Sequence, residues 1–290
     1  MTGDLAAALE RALPDLRVRP LRVVDVGFGS TVVETAAGVL VRVARSPRAA
    51  AGHARELALL PQLAGRLPIA VPEPCLRLDP DPPELPFGAI AYPKLAGAPL
   101  ARDAADDALA ADVAGFLRAL HGLDVEARPA HDDLETLRDA TSPALARELT
   151  AAEQHALERW WDDLLADERL RSYEPRLRHG DLWYENLLVA DGRLVGVVDW
   201  EAAGTGDPAE DLAALRHLGD AFAGRVTAEY RADDPDLPHR IDRRWQLREL
   251  YGVRLSVELG EANELADAVR KLREGPIFAA GPAGSGGRSE

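Results

Sequence analysis

His179-Gly180-Asp181-Leu182-Trp183-Tyr184-Glu185-Asn186, then Val197-Val198-Asp199-Trp200-Glu201 and Gly206-Asp207-Pro208-Ala209-Glu210-Asp211-Leu212, is the stretch on which the reading of this chain turns. It sets an aspartate, an asparagine five positions later, and a second aspartate beyond two short strand-like runs. Those runs, Leu187–Val189 and Leu194–Val198, are joined by Asp191-Gly192, a dipeptide that favours a tight hairpin. Such a hairpin can return Asp199 beside Asn186. Asp181 can then orient a hydroxyl and take its proton late, while the Asn186 amide oxygen and the Asp199 carboxylate offer hard oxygen ligands to a magnesium ion. Singly, each residue has a plainer reading as a turn or a cap. In this order, and interleaved with this strand pattern, they read as one site.

Upstream, an amphipathic helix over about Asp4 to Ala12 precedes three valine-rich strands, Leu21–Val26, Thr31–Thr35 and Val39–Ala44. The gap Ala36-Ala37-Gly38 suits a hairpin, and Ser46-Pro47 reads as the N-cap and first residue of a helix running to about Ala64. Leu57, Leu60 and Leu63 recur on that helix at helical spacing. A proline-dense loop from Pro68 to Pro86, with one short strand at most, leads to a buried strand at Gly88–Tyr92. Beyond it the chain is mainly helical. Leu109, Val113, Phe116, Leu117 and Leu120 form one apolar stripe, and Leu157, Trp160, Trp161, Leu164 and Leu165 another. The pattern predicts an α+β, bilobal protein: a small antiparallel β-sheet N-lobe with one helix over 1–93, a hinge at 94–97 and a larger, mainly helical C-lobe over 98–275. Residues 276–290, Gly/Ser-rich over Gly281–Glu290, are expected to form a disordered tail. Nucleotide pockets commonly form where two such lobes meet.

The chain has 290 residues, enough for a sizeable core, and a net charge of −15. That charge leaves no basic stripe for nucleic acid and suits a cationic small molecule better. No apolar run is long enough to span a bilayer, and the N-terminus lacks the features of a signal peptide, so neither a membrane nor export is expected and the address read is cytoplasmic. The single cysteine, Cys75, excludes an intramolecular disulfide and a cysteine-based zinc site. The histidines His53, His121, His131, His155, His217 and His239 show no metal spacing and read as structural or surface residues.

The Asp181, Asn186 and Asp199 pattern resembles the aminoglycoside phosphotransferase and choline kinase-like family, small-molecule kinases of the protein kinase-like fold. His179-Gly180-Asp181 with Asn186 looks like that family's catalytic loop, Asp199-Trp200-Glu201 lies at its metal-binding aspartate, and Gly206 to Leu212 looks like the helix start that follows. The resemblance covers about Val23 to Lys271. It implies Asp181 as catalytic base, Asn186 and Asp199 as Mg2+ ligands, and Asp211 as a buttress of the loop. On its own chemistry Asp207, before Pro208, reads as a helix N-cap.

The nucleotide half is read from the small lobe. Gly27-Phe28-Gly29-Ser30 lies between two strands, where backbone N–H groups can approach an anion and Ser30 adds a hydroxyl. Val32 stands where a third glycine would complete the usual pattern. Only Lys94 and Lys271 are lysines, and neither is on the third strand. There, alternation puts Val39, Val41 and Val43 on one face and Leu40 and Arg42 on the other. Arg42 matches the family's phosphate-binding lysine and can hold phosphate oxygens bidentately. Glu56 matches the partner carboxylate; an ordinary surface ion pair is the plainer reading. In the connector, Tyr92 aligns with the gatekeeper of the base pocket, Pro93 can offer a carbonyl and Leu95 an N–H to a nucleobase.

For the acceptor, Glu201 and Glu185 are the candidate carboxylates; Glu258, Glu261, Glu264 and Asp267 read as solvated helix faces. Trp183 and Tyr184 flank Asp181 and either wall a pocket or pack against the lobe. The whole predicts a phosphotransferase that uses ATP or GTP with Mg2+ to phosphorylate a hydroxyl of a small molecule. An antibiotic of aminoglycoside type, a macrolide or a cationic peptide fits best. A metabolic kinase of choline, homoserine or sugar-amine type, and a non-catalytic nucleotide-binding pseudokinase, are the alternatives.

Overall fold

The computed structural model describes residues 2–26, 29–74, 76–81, 83–103, 106–129, 134–260 and 262–279. Gly27 and Phe28 of the glycine-rich turn, Cys75, His131, Glu261 and the tail from residue 280 lie outside the described residues. In chain order the elements are α1 (Thr2–Ala12), β1 (Arg22–Val26), β2 (Ser30–Glu34), β3 (Val39–Ala44), α2 (Pro47–Leu63), β4 (Leu76–Leu78), β5 (Ala89–Pro93) and β6 (Ala98–Pro99). Then come α3 (Asp107–His121), α4 (Leu134–Glu148), α5 (Ala151–Ala166), β7 (Arg176–Arg178), β8 (Leu187–Ala190), β9 (Arg193–Val197) and β10 (Gly204–Gly206). The last helices are α6 (Ala209–Ala214), α7 (Asp220–Tyr230), α8 (Leu237–Gln246), α9 (Arg248–Leu259), α10 (Ala262–Glu274) and α11 (Pro276–Ala279).

The small antiparallel sheet and the helix-rich remainder are the α+β, kinase-like architecture that the sequence predicts. The chain divides into two compact units, one of Met1–Ala130 with Arg176–Arg231, the other of His131–Pro175 with Ala232–Glu290. In the first unit the sheet runs in the order β1-β2-β3-β5-β4. Val33 pairs with Val41 and Arg42 with Ile90. Val33, Val41 and Val43 pack with Leu9, Leu13, Val18 and Leu85 in a core, on the face opposite the Arg42 position. Ser46 caps α2, its hydroxyl accepting the Ala49 N–H, and Pro47 occupies the first turn, where its missing donor costs nothing.

The buried stripe of α2 is Ala49, Gly52, His53, Glu56, Leu59, Leu60 and Leu63. Leu57, read as part of the apolar stripe, is only half-buried. Polar residues occupy the core-facing positions that leucine periodicity would have claimed, because α2 packs on a polar site. On α3, the predicted residues Leu109, Val113, Phe116, Leu117 and Leu120 are all buried. The β8–β9 hairpin turns at Asp191 (φ 50°) and Gly192 (φ 73°), the left-handed pair that a two-residue turn requires.

The second unit is helical. Its core joins Leu157, Trp161 and Leu164 of α5 to Leu137 and Leu145 of α4, Leu250 and Val253 of α9, and Val269 and Leu272 of α10. Ile277 of α11 is buried in the same cluster, so Pro276–Ala279, read from the sequence as the start of a disordered tail, is a packed helix. Among the described residues, no helix is long and apolar enough to cross a membrane.

Candidate active site

β7 pairs antiparallel with β10, Gly204 opposite Arg178, and ends just before His179. The chain then turns sharply. Gly180 has φ +82°, and a Cβ there would lie 2.7 Å from the Ala202 carbonyl oxygen, so this position excludes a side chain both by conformation and by space. Asp211 of α6, fully buried, fixes the turn: its Oδ2 accepts the His179 N–H and its Oδ1 the Gly180 N–H, each at 2.8 Å. The Nε2 of His121 approaches the same carboxylate at 3.1 Å, and Tyr230 Oη lies 2.8 Å from the other His121 nitrogen. Burial works to raise the Asp211 pKa, but the hydrogen bond from His121 and the neighbouring His179 and Arg178 hold it below the ordinary value. Asp207 accepts the Ala209 N–H at 3.0 Å and caps α6, as its place before Pro208 suggested.

The His179 ring is an internal strut. Its Nδ1 accepts the Asp181 N–H at 3.2 Å, its Nε2 lies 3.0 Å from the Val198 carbonyl, and it stacks edge-on against Trp200 at 4.6 Å. Because Nδ1 accepts an N–H while Nε2 faces a carbonyl, the ring's proton belongs on Nε2, and burial lowers its pKa in the same sense. This links the Asp181 loop to the strand that delivers Asp199.

Asn186 closes the short 3-10 turn Tyr184–Asn186. Its Nδ2 donates to the Asp181 carbonyl at 2.9 Å and to the Asp181 carboxylate at 3.3 Å. The amide oxygen therefore forms the opposite end of that side chain. Asp199 has φ +65°, a left-handed conformation uncommon for a residue other than glycine. Its Oδ1 lies 3.1 Å from Nη2 of Arg42.

Arg42 is buried, and its Nη1 meets both Glu56 oxygens at 2.8 Å. Burial opposes its charge, but Glu56 and Asp199 outweigh this and hold its pKa above the ordinary value. Glu56 also accepts the Trp200 N–H at 2.8 Å. This is not a surface ion pair: Arg42 and Glu56 are 7 and 1% exposed, so breaking the pair by removing one partner leaves a buried charge. Glu201 lies 3.6 Å from Arg42, and its carboxylate lies against Gly52 of α2. Arg55 donates to the Glu201 carbonyl.

Arg42, Glu56, Asp181, Asn186, Asp199 and Glu201 thus converge. Asp181 is open to solvent, yet crowded by protein and by the charges of Asp199 and Glu201; together these raise its pKa to about 7. That concentration of carboxylate, with an amide oxygen beside it, fits a hard divalent cation. Among the described residues, no three His, Cys, Asp or Glu side chains are arranged to hold a metal alone. Asn186 and Asp199 would share an Mg2+ with nucleotide phosphates, as that ion prefers.

The other sequence-derived positions are more dispersed. Ser30 accepts or donates at 3.0 Å with His53, a buried α2 residue that sequence reading left as merely structural. His53 stands three residues before Glu56, on the same helix face, which is the signal that links it to Arg42. Gly29 immediately precedes β2, and its carbonyl accepts the Arg45 N–H. Tyr92 is buried on β5 opposite Leu40, its hydroxyl pushed up to about 12 by burial. Pro93 is exposed at the end of β5, Leu95 is half-buried in the connector, and Glu185 is exposed on the Tyr184–Asn186 turn. His121, Gly52 and Arg55 are the contributors that sequence reading missed; each acts through a tertiary contact with no local signature. Glu258 and Asp267, in the other unit, pair with Arg254, Arg270 and Lys271, as solvated helix faces do.

The chain is 39% identical over 103 residues to viomycin phosphotransferase of Streptomyces vinaceus; the match covers 33% of this chain and 35% of that enzyme. It is 37% identical over 67 residues to an aminoglycoside 3'-phosphotransferase of Escherichia coli, covering 22% of this chain and 25% of that protein. The chain therefore matches about a third or less of the length of these relatives. Among solved structures, the GDP complex of wild-type aminoglycoside 2'-phosphotransferase-IIIa superposes with a TM-score of 0.83 at 19% identity, over 94% of this chain and 97% of that one; this likeness establishes the fold. A macrolide 2'-phosphotransferase of Brachybacterium faecium superposes with a TM-score of 0.70 at 25% identity, over 93 and 98%. The model of the phosphotransferase enzyme family matches residues 21–248, and the chain belongs to that family.

Proposed function

We propose that this protein transfers the γ-phosphate of ATP or GTP to a hydroxyl of a small antibiotic, of aminoglycoside type, a macrolide or a cationic peptide. The observation that carries the reading is the convergence of Asp181, Asn186 and Asp199 with the buried Arg42–Glu56 pair. Asp181 acts as base: it accepts the acceptor's hydroxyl proton, held in line by the Asn186 amide and by the loop that Asp211 anchors. Arg42, kept rigid by Glu56, holds phosphate oxygens with a planar fork. An Mg2+ ion on Asn186 and Asp199 would neutralise charge on the transferring phosphate. Ser30 and Gly29 lie at the start of β2, where phosphates would pass, and Tyr92, Pro93 and Leu95 line the base side. Glu185 and Glu201 are the carboxylates assigned to the acceptor's cationic groups.

Support for an antibiotic acceptor comes from the named relatives, which act on viomycin, aminoglycosides and macrolides. The acidic net charge of −15 favours a cationic one. The test is a panel of antibiotics and metabolic alcohols, run separately with ATP and GTP and read as nucleoside-diphosphate release. Release with an antibiotic, lost in Asp181→Ala while nucleotide still binds, is the expected outcome. Turnover with choline or homoserine alone would overturn the acceptor class, and undiminished turnover in Asp181→Ala would overturn the base. Nucleotide binding without transfer to any acceptor would mark a pseudokinase.

A further inference from the structure

Two rings that follow Asp181 in the sequence, and a cation lying over them, have no part in the chemistry above. Trp183 and Tyr184 lie between Asp181 and Asn186 in sequence, their ring centroids 4.7 Å apart and tilted by 41°. Arg102, in the segment between β6 and α3, holds its guanidinium carbon 5.2 Å from the Tyr184 ring centroid and 5.7 Å from that of Trp183. His217 braces the indole edge-on at 4.2 Å. Both aromatic side chains are half-buried, whereas Arg102 is exposed. Among the described residues, no carboxylate is paired with Arg102.

The two residues are only half-buried and a guanidinium already lies over both rings, an arrangement that suits a cation. The attraction arises from the negative face of each ring, and at an exposed site it is weak. A long, exposed arginine can therefore be exchanged for another cation at little cost. Distance also favours a role at the acceptor. Trp183 and Tyr184 are two and three residues from Asp181, so at about 3.5 Å of chain per residue they lie within about 11 Å of it. Glu201, one of the carboxylates assigned to the acceptor, also lies 3.6 Å from Arg42 and against Gly52 of α2, so an aromatic surface would add to what it can offer a cation.

We propose that Trp183 and Tyr184 form a platform for an ammonium or guanidinium group of the acceptor, and that this group replaces the Arg102 guanidinium when the acceptor binds. The proposal rests on Asp181 being the base of the reaction proposed above. Arg102 acts as an internal stand-in: it keeps the platform covered in the free protein and excludes acceptors with no cation to exchange for it. The exposed carboxylate of Glu185, on the same turn, adds charge of the right sign.

The test uses n-butylguanidinium and its neutral, equally flat analogue n-butylurea, titrated by saturation-transfer NMR. The proteins are wild type, Arg102→Gln and Arg102→Gln/Trp183→Leu. Arg102→Gln should bind the guanidinium about two- to fivefold more tightly than wild type, the range expected for one exposed cation–π contact. The second substitution should abolish that gain, and the urea should bind all three proteins alike. A gain that survives loss of Trp183 would mean that removing a positive charge acts through the general field, and would overturn the platform. Equal gains for guanidinium and urea, or none for either, would do the same. Should Trp183→Leu fail to fold, Tyr184→Leu removes the other ring and is read by the same criteria. With a turned-over cationic acceptor, Arg102→Gln should lower KM by a similar two- to fivefold factor. If no acceptor is phosphorylated, the function proposed above fails, while the binding series still decides the platform.

Discussion

Replacing Asp211 by asparagine should destabilise the unit that carries the site by about 2–4 kcal/mol. In the wild-type protein Oδ2 serves the His179 N–H and His121 Nε2, while Oδ1 serves the Gly180 N–H. An asparagine has one oxygen. With it on the His179 side, the amide nitrogen faces the Gly180 N–H donor to donor; turned round, it faces two donors. At least one buried N–H is orphaned, at about 1–3 kcal/mol, and the remaining bonds lose the charge that roughly doubles their strength. Asp211→Ala leaves all three donors without an acceptor and should cost about 3–5 kcal/mol. With a urea m-value of about 2 kcal/mol/M, the asparagine variant's midpoint falls by about 1–2 M. Trp200, edge-on to His179, reports the transition by fluorescence, and hydrogen exchange at the His179 and Gly180 amides reports the loop itself. The pH dependence has a definite sign. The Asp211 pKa is lower folded than unfolded, so its stabilisation is present above the unfolded value and is lost as pH falls through the folded one. Asp211→Asn should lack this acid limb. A midpoint within about 0.2 M of wild type, with both amides still protected, would refute the buttress.

Three other outcomes follow from the same geometry. His53 is held neutral, its pKa lowered to about 4 by burial and then by the Arg42 charge, so stability should decline as pH falls from about 6.5 towards 4, by up to about 3 kcal/mol; His53→Gln should flatten that limb in thermal melts at stepped pH. Gly52→Ala should lower Tm, although helix propensity alone would raise stability by about 1 kcal/mol, because the new Cβ meets Glu201 Oε2 at 2.7 Å and Glu201 Cβ at 3.1 Å; a higher Tm with unchanged nucleotide KM would contradict this contact. In metal-free protein, Asp199→Asn should lower the Asp181 pKa from about 7 towards the ordinary carboxylate range, read by carboxyl carbon NMR; an unmoved titration would show that crowding by protein alone raises it.

What could be read from the sequence was local. Alternation on β3 separated Val41 and Val43 from Arg42, Ser46-Pro47 marked the start of α2, and Asp191-Gly192 marked the hairpin, because each is decided by residues within one element. The stripe on α2 was only partly legible. Its buried face includes Gly52, His53 and Glu56, which periodicity counts as polar and assigns to solvent. They are buried because the partner surface, Arg42 and the Asp199-Trp200-Glu201 segment, is itself polar and lies as many as 149 positions away. The grouping of 131–175 with 232–290 had no sequence signal either: α5 and α10 each show an apolar face, but nothing in a stripe says which other stripe it meets.

Glu56 is more than a partner for Arg42. One carboxylate receives two bonds from the guanidinium and one from the Trp200 N–H, so the group that orients Arg42 also holds the backbone immediately after Asp199. That backbone needs holding. The left-handed conformation of Asp199 costs about 1–2 kcal/mol, and it persists because both flanks are pinned: Val198 N–H to the Asn186 carbonyl on one side, Trp200 N–H to Glu56 on the other. The strain aims the Asp199 side chain towards Arg42 and away from the strand direction it would otherwise follow. A change in Glu56 should therefore disturb both halves of the site at once, loosening Arg42 and releasing Asp199. The effects of Glu56→Gln and Asp199→Asn on stability should then be non-additive, since both act on the same pinned segment. Additivity within about 0.3 kcal/mol in a double-mutant cycle would mean that the two carboxylates are held independently.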